Sequence, residues 1–248
     1  MKIFVGKDAD ELGRAASELA AKKINEAIAK NGEARIVLST GASQFETLGY
    51  LVKEDVDWSR VTMFHLDEYV GLPESHPASF RKYLKERFVS IVHPKAAYFV
   101  NGEGDVAANI AKVTGELRSA PIDLALIGIG ENAHIAFNDP PADFDTRDAY
   151  IVVNLDPRCR KQQVGEGWFK TVDDVPSQAI SMTIWQMMQA KSVISSVPGE
   201  RKAVAIRDTL SAPAVTNMVP ATKLFDHADW NLFLDRGSAS LTDPKYLK

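Results

Sequence analysis

The chain has 248 residues, 45% of them apolar and 25% charged, with 15 Gly and 12 Pro; this excludes disorder, collagen-like repeats and disulfide scaffolds, and a chain this long buries roughly 70–75% of its unfolded surface around one core. A formal charge of -4 without a polybasic run argues against nucleic acid or an anionic membrane as partner, so any phosphate must be held by a local site. One cysteine, strand-length apolar runs and an N-terminus without a signal core make a reducing cytoplasm the expected setting.

Residues 2–5 read as a first strand. A helix opens at Asp8 and Asp10, carries Leu12, Ala16, Leu19, Ile24 and Ile28 on one stripe, and stops at Asn31-Gly32. Residues 35–38 read as a buried strand, with a helix bearing Phe45, Leu48 and Leu51 after it. The next strand is 61–66, with Asp67-Glu68-Tyr69 at its carboxyl end. A helix over 77–88, a short strand over 97–99 and a helix with Val106, Ile110, Val113 and Leu117 on one face follow. Residues 122–128 form the strongest buried strand, and 150–153 another. A helix is expected over 180–191, a strand over 192–197, a helix over 200–210 and a closing strand over 231–234. Segments 140–146 and 159–174 read as long mobile loops. Strands alternating with helices imply a single α/β domain over 1–248, with a Rossmann-like, mostly parallel sheet and helices on both faces.

Ligands of open α/β sheets bind beyond the carboxyl ends of the strands. Three polar clusters fall there. Ser39-Thr40-Gly41-Ala42-Ser43 joins a strand to a helix, where free N–H groups suit a phosphate; an ordinary helix cap is the competing reading, and the spacing is not that of a P-loop. Asp67 and Glu68 alternate to opposite sides of their strand, so they are not a close pair; one can face the cleft as a general base, and a turn residue capping the helix after Gly71 is the competing reading. Gly128-Ile129-Gly130 lacks the further glycine of a dinucleotide fingerprint, and no nicotinamide cofactor is expected. His134, with Asn132 and Asp139 nearby, can shuttle protons. His65, His76, His93 and His227 give no metal-ligand spacing with it, so neither a metal nor another cofactor is expected. Lys202 opens a helix, as either a solvated lysine or an anion's partner. Cys159, between Arg158 and Arg160, reads as a lowered-pKa thiol or an inert loop residue.

Several stretches resemble the glucosamine-6-phosphate deaminase (isomerase) family: His65-Leu66-Asp67-Glu68-Tyr69-Val70-Gly71-Leu72-Pro73, His76-Pro77-Ala78-Ser79-Phe80, Gly128-Ile129-Gly130 with His134-Ile135-Ala136-Phe137-Asn138, and Gly199-Glu200-Arg201-Lys202-Ala203. The likeness covers nearly the whole chain, and the Asp-Glu-Tyr and His-Ile-Ala-Phe-Asn segments separate it from the related 6-phosphogluconolactonases. It implies metal-free conversion of glucosamine 6-phosphate to fructose 6-phosphate and ammonia. By this resemblance Asp67 moves a proton between C2 and C1, and His134, with Asp139 and Asn132, opens the sugar ring. Ser39, Thr40, Gly41, Ser43 and Lys202 hold the phosphate. The partner is then a small sugar phosphate, with room for a homo-oligomer.

The sequence departs from that pattern at three places. Asn132-Ala133-His134 stands for Asp-Gly-His, and Asp139 stands for a glutamate. Glu166 aligns near the arginine expected to grip phosphate, so either Arg158, Arg160 or Lys161 replaces it or that loop contacts a different part of the ligand, and Gly167-Trp168 suggest a loop that closes on the ligand. A sugar-phosphate lactonase and a non-catalytic sugar-phosphate sensor are the competing functions.

Overall fold

The computed structural model describes residues 1–247. β1 (Lys2–Gly6) leads to α1 (Ala9–Asn31), where the Asp8 side chain accepts the Glu11 N–H and a left-handed Gly32 ends the helix. There follow β2 (Ala34–Leu38), α2 (Phe45–Leu51), β3 (Val61–His65) and β4 (Asp67–Tyr69). Ser79 caps α3 (Phe80–Leu84), which continues through a π-helical turn, Lys85–Val89, into α4 (Ser90–Val92). Then come β5 (Ala96–Ala97), α5 (Val106–Arg118), β6 (Leu124–Leu126) and β7 (Tyr150–Asn154). The last elements are α6 (Pro157–Gly165), β8 (Gln178–Met182), α7 (Ile184–Met187), β9 (Ser192–Val197), α8 (Ala203–Ser211) and β10 (Trp230–Asp235).

Seven strands make a wholly parallel sheet in the order β1-β10-β9-β6-β2-β3-β5. Alternation along each strand serves two cores. Ile36 and Leu38 of β2, Leu124 and Leu126 of β6, and Phe233 of β10 join α1 on one face. Val37, Ala125, Leu232 and Leu234 face α5 and α8 on the other. Chain order moves from β2 outward to β3 and β5, then returns to β6 on the other side of β2. That reversal opens a crevice at the carboxyl ends of β2 and β6.

A small antiparallel sheet, β4-β8-β7, stands at that end. The chain leaves the main sheet at Leu66, whose N–H still bonds Leu38 while its carbonyl accepts Met182 N–H. Tyr150, Ile180 and Met182 of the small sheet share a core with the main one, so the two sheets form one body.

Three expectations are corrected. Residues 180–191 are not one helix: 178–182 are the central strand of the small sheet, and only Ile184–Met187 is helical. A short apolar run looks alike in a buried strand and a buried helix; here hydrogen bonds on both edges decide. The strand 150–153 exists but pairs antiparallel, outside the parallel sheet. The expected loop 159–174 is helical through Gly165, because Asp156 accepts the Arg158 N–H and Pro157 occupies the first turn. Segment 140–146 has no helix or strand. Among the described residues, no helix is long and apolar enough to cross a membrane.

Candidate active site

Two turns built alike flank the crevice. After β2, Gly41 adopts φ 92° with open space where a Cβ would be, so conformation alone demands glycine there. Its carbonyl accepts the Gln44 N–H and the Tyr83 hydroxyl, each at 3.1 Å. Ser39 Oγ is buried without a partner. Gln44 Nε2 reaches Ser43 Oγ and the Ser196 carbonyl, fixing the turn to β9. After β9, Gly199 takes φ 94° and donates its N–H to Asp235 Oδ2 at 2.8 Å. Lys202 follows, buried, its ammonium without a hydrogen bond or ion pair among the described residues. Burial pushes its pKa down, while Glu166 and Glu131 pull it back.

Asp67 and Glu68 occupy opposite sides of β4 and have opposite fates. Glu68 is fully buried. Its carboxylate accepts from Ser79 Oγ at 2.7 Å, Arg81 N at 3.0 Å and Arg81 Nε at 3.1 Å, so it caps α3 and neutralises Arg81. Arg81 spends its remaining donors on Asn101, the Leu72 carbonyl and Glu103. Asp67 has no such partners: its carboxylate faces the crevice without a hydrogen bond or ion pair among the described residues. Burial, and then the neighbouring Glu68 charge, push it up to about 8.

His134 stands on the segment after β6, held between two left-handed alanines, Ala133 (φ 64°) and Ala136 (φ 50°). Gly130 N–H and the His134 carbonyl close the turn at 2.9 Å. A Cβ on Gly130 would lie 2.2 Å from His134 Nε2, so the missing side chain is what admits the ring. Asn138 Nδ2 donates to the Ile135 and Met182 carbonyls and to Ser181 Oγ, stapling the segment to β8. His134 Nδ1 lies 2.9 Å from Asp139 Oδ1, off the line of an ideal hydrogen bond. Asn132 Nδ2 donates to the same Asp139 oxygen at 2.9 Å, and Asn132 Oδ1 accepts the His134 N–H. Burial works against the charge of Asp139, but His134, Asn132 and the Asp156 N–H outweigh it and hold its pKa below the usual carboxylate value.

Ser39, Thr40, Gly41, Ser43, Asp67, His134 and Lys202 thus line one cleft. Asn132 and Asp139 sit behind His134 rather than in the cleft wall. The α6 segment adds Gln162, Gln163 and Glu166 to the lining. Glu166 accepts from Gln162 Nε2 and Trp168 Nε1, and Trp168 sits edge-on against Phe45 and Tyr83. None of the expected substitute cations reaches the cleft. Arg158 lines a neighbouring cavity, Arg160 is spent on the Val172 and Val175 carbonyls, and Lys161 is exposed. Among the described residues, Lys202 is the one cation of the lining. Cys159 is buried, and burial pushes its thiol pKa up, which removes the reactive-thiol reading.

Sequence reasoning missed Arg81, Gln44 and the placing of Cys159 beside His134 and Asp139. Arg81 carries a signal in hindsight: an arginine two residues after a capping serine has backbone and side-chain donors to offer one carboxylate.

The family model for glucosamine-6-phosphate isomerases/6-phosphogluconolactonase matches residues 7–232. The chain belongs to this isomerase/lactonase family. Within the family, it is 34% identical over 242 residues to the glucosamine-6-phosphate deaminase of Lactobacillus delbrueckii subsp. bulgaricus, covering 97% of this chain and 99% of that one. To the glucosamine-6-phosphate deaminase of Streptococcus pneumoniae it is 35% identical over 244 residues, 98% of this chain and 100% of that one. The solved structure of a monomeric glucosamine-6-phosphate deaminase superposes with a TM-score of 0.88 at 29% identity, over 97% of this chain and all of that one. The 6-phosphogluconolactonase of Thermotoga maritima shares the fold at a TM-score of 0.77 and 16% identity, over 94% of this chain and 98% of that one. The isomerase/lactonase fold therefore carries both chemistries, and the cleft must choose between them.

Proposed function

We propose that this protein is a glucosamine-6-phosphate deaminase acting in amino-sugar breakdown in the cytoplasm. The observation that carries this reading is Asp67: a buried carboxylate with no partner among the described residues, facing a cleft that also holds His134 and Lys202.

The substrate phosphate sits between the 39–43 turn and Lys202, where N–H groups, hydroxyls and one ammonium meet a dianion. Binding that remote group fixes the reacting carbons beside Asp67. His134 passes a proton to the ring oxygen as the O1 proton leaves, giving the open-chain aldehyde; Asp139 holds the imidazole in place. Ionised Asp67 takes the C2 proton, acidified by the adjacent carbonyl, and returns it to C1. One ammonium proton passes to O1 as the enolamine forms, so that after protonation of C1 the nitrogen is an iminium at C2. Water adds to that carbon and ammonia leaves, giving fructose 6-phosphate. The substrate's own ammonium offsets the cost of ionising Asp67 in the complex.

Close homology to deaminases and a carboxylate without partners favour proton abstraction from carbon over water activation. Ammonia release across a panel of hexosamine phosphates tests the reading. We expect ammonia and fructose 6-phosphate in equal amounts from glucosamine 6-phosphate. Hydrolysis of 6-phosphogluconolactone without ammonia from any hexosamine phosphate would overturn it.

A further inference from the structure

Cys159 Sγ, a ring nitrogen of His134 and a carboxylate oxygen of Asp139 lie within 4.8 Å of one another. The three come from different segments: Cys159 from the first turn of α6, and the others from the two ends of the 134–139 segment. The substrate cleft reaches His134 only. Cys159 lines a neighbouring cavity, shared with Asn132 and Gln162, and Asp139 lines a third. A small hydrated ion can therefore approach this cluster from behind, without passing the substrate.

Thiolate, imidazole and carboxylate together suit a borderline-soft divalent ion, and not Mg²⁺ or Ca²⁺, which take oxygen ligands. Bonds of about 2.0–2.3 Å at tetrahedral angles put donors roughly 3.5 Å apart, so side-chain movement of little more than about 1 Å closes the set. We propose that this cluster is an inhibitory zinc site, in which one Zn²⁺ is held by Cys159 Sγ, His134 Nδ1 and Asp139, with water as the fourth ligand. Binding replaces the thiol hydrogen, which leaves to solvent as one proton per ion. His134 then keeps its single ring proton on Nε2. With the Nδ1 lone pair on the metal, the ring cannot become an imidazolium, and it loses its role at the ring oxygen. Asp67 and the phosphate-binding turns are untouched, so turnover falls while phosphate binding persists.

The inhibition rests on the deaminase reading; the binding does not. Chelator-stripped full-length protein is dialysed against Zn²⁺, titrated with Co²⁺, and assayed for ammonia release. One zinc per chain is expected, with a thiolate-to-cobalt charge-transfer band. Zinc should lower kcat, chelator should restore it, Mg²⁺ should do neither, and binding of inorganic phosphate should not change. Cys159→Ala, with Cys159→Ser as the second variant if alanine impairs folding, should keep metal-free turnover and lose the cobalt band. It should weaken zinc binding and inhibition by at least roughly tenfold to a hundredfold. Zinc binding undiminished in both variants, or no zinc bound by the wild type, overturns the proposal, as does zinc bound through Cys159 without loss of kcat. Failure of the deaminase reading would show separately, as no ammonia from the metal-free wild type.

Discussion

Asp67 concentrates the functional strain of this molecule in one side chain. A carboxyl raised from 3.8 to about 8 by burial and by Glu68 binds its proton more tightly in the folded chain than in the unfolded one. The associated stability is intact below the unfolded value near pH 4, is lost progressively as pH rises toward 8, and does not fall further above that. Asp67→Asn removes the loss. Thermal melting should find variant and wild type nearly equal at pH 4 and the variant more stable by several degrees at pH 8; a variant less stable at pH 8 would contradict the burial argument. On the proposed mechanism the same ionisation governs catalysis, so kcat/KM of the wild type should climb with pH toward a free-enzyme limb near 8, a limb absent if the base lies elsewhere. Ala133 is a second strained residue, at φ 64° beside His134. A left-handed alanine costs about 1–2 kcal/mol, part of which glycine returns as unfolded-chain entropy, so Ala133→Gly should stabilise by roughly 0.5–1 kcal/mol in denaturant melts. A lower midpoint for the glycine variant would show that the segment stores no such strain.

At the scale of elements, β4 and α6 decide what the cleft presents. β4 turns one carboxylate to the cleft and commits the other to the start of α3, where Glu68 and Arg81 neutralise each other in the interior. Glu68→Ala leaves the buried Arg81 with only the half-exposed Glu103 as counter-charge and should destabilise by about 3–5 kcal/mol in equilibrium unfolding; a loss under about 1 kcal/mol would mean Glu103 and Asn101 suffice for Arg81. α6 brings Glu166 into the lining near Lys202, so an acid stands close to the proposed phosphate site. Glu166→Gln should tighten inorganic phosphate binding several-fold, read by calorimetry, and unchanged affinity would place the phosphate away from α6. These elements also mark the limits of the sequence. The α1 stripe carries clear helical periodicity, and β2 and β9 were legible as short apolar runs bounded on both sides by turn residues. β8 was not, because Ala179-Ile180-Ser181-Met182 is buried on both faces and has no alternation to read. α6 was overlooked beneath polar residues, although Asp156-Pro157 at its start is an ordinary capping signal.

For the molecule as a whole, the cleft follows from topology. The return of the chain from β5 to β6 separates the 39–43 turn from the segment bearing His134, and the small sheet carries Asp67 across the gap between them. Residues at strand ends could be named from sequence because an open α/β sheet leaves few other places for a ligand. The pairing of His134 with Asp139 was readable from spacing. The approach of Cys159 was not, since it depends on how α6 packs after the 19 residues that separate Cys159 from Asp139. Net charge of -4 is no obstacle to a phosphate ligand, because the cleft supplies its own cation and N–H groups. The central claim is that one acidic side chain transfers hydrogen between neighbouring sugar carbons. Its most direct test is Asp67→Asn assayed for ammonia release from glucosamine 6-phosphate alongside calorimetric binding of inorganic phosphate. Turnover should fall by roughly a hundredfold to ten-thousandfold with phosphate affinity kept; a variant that turns over at close to the wild-type rate would contradict the account.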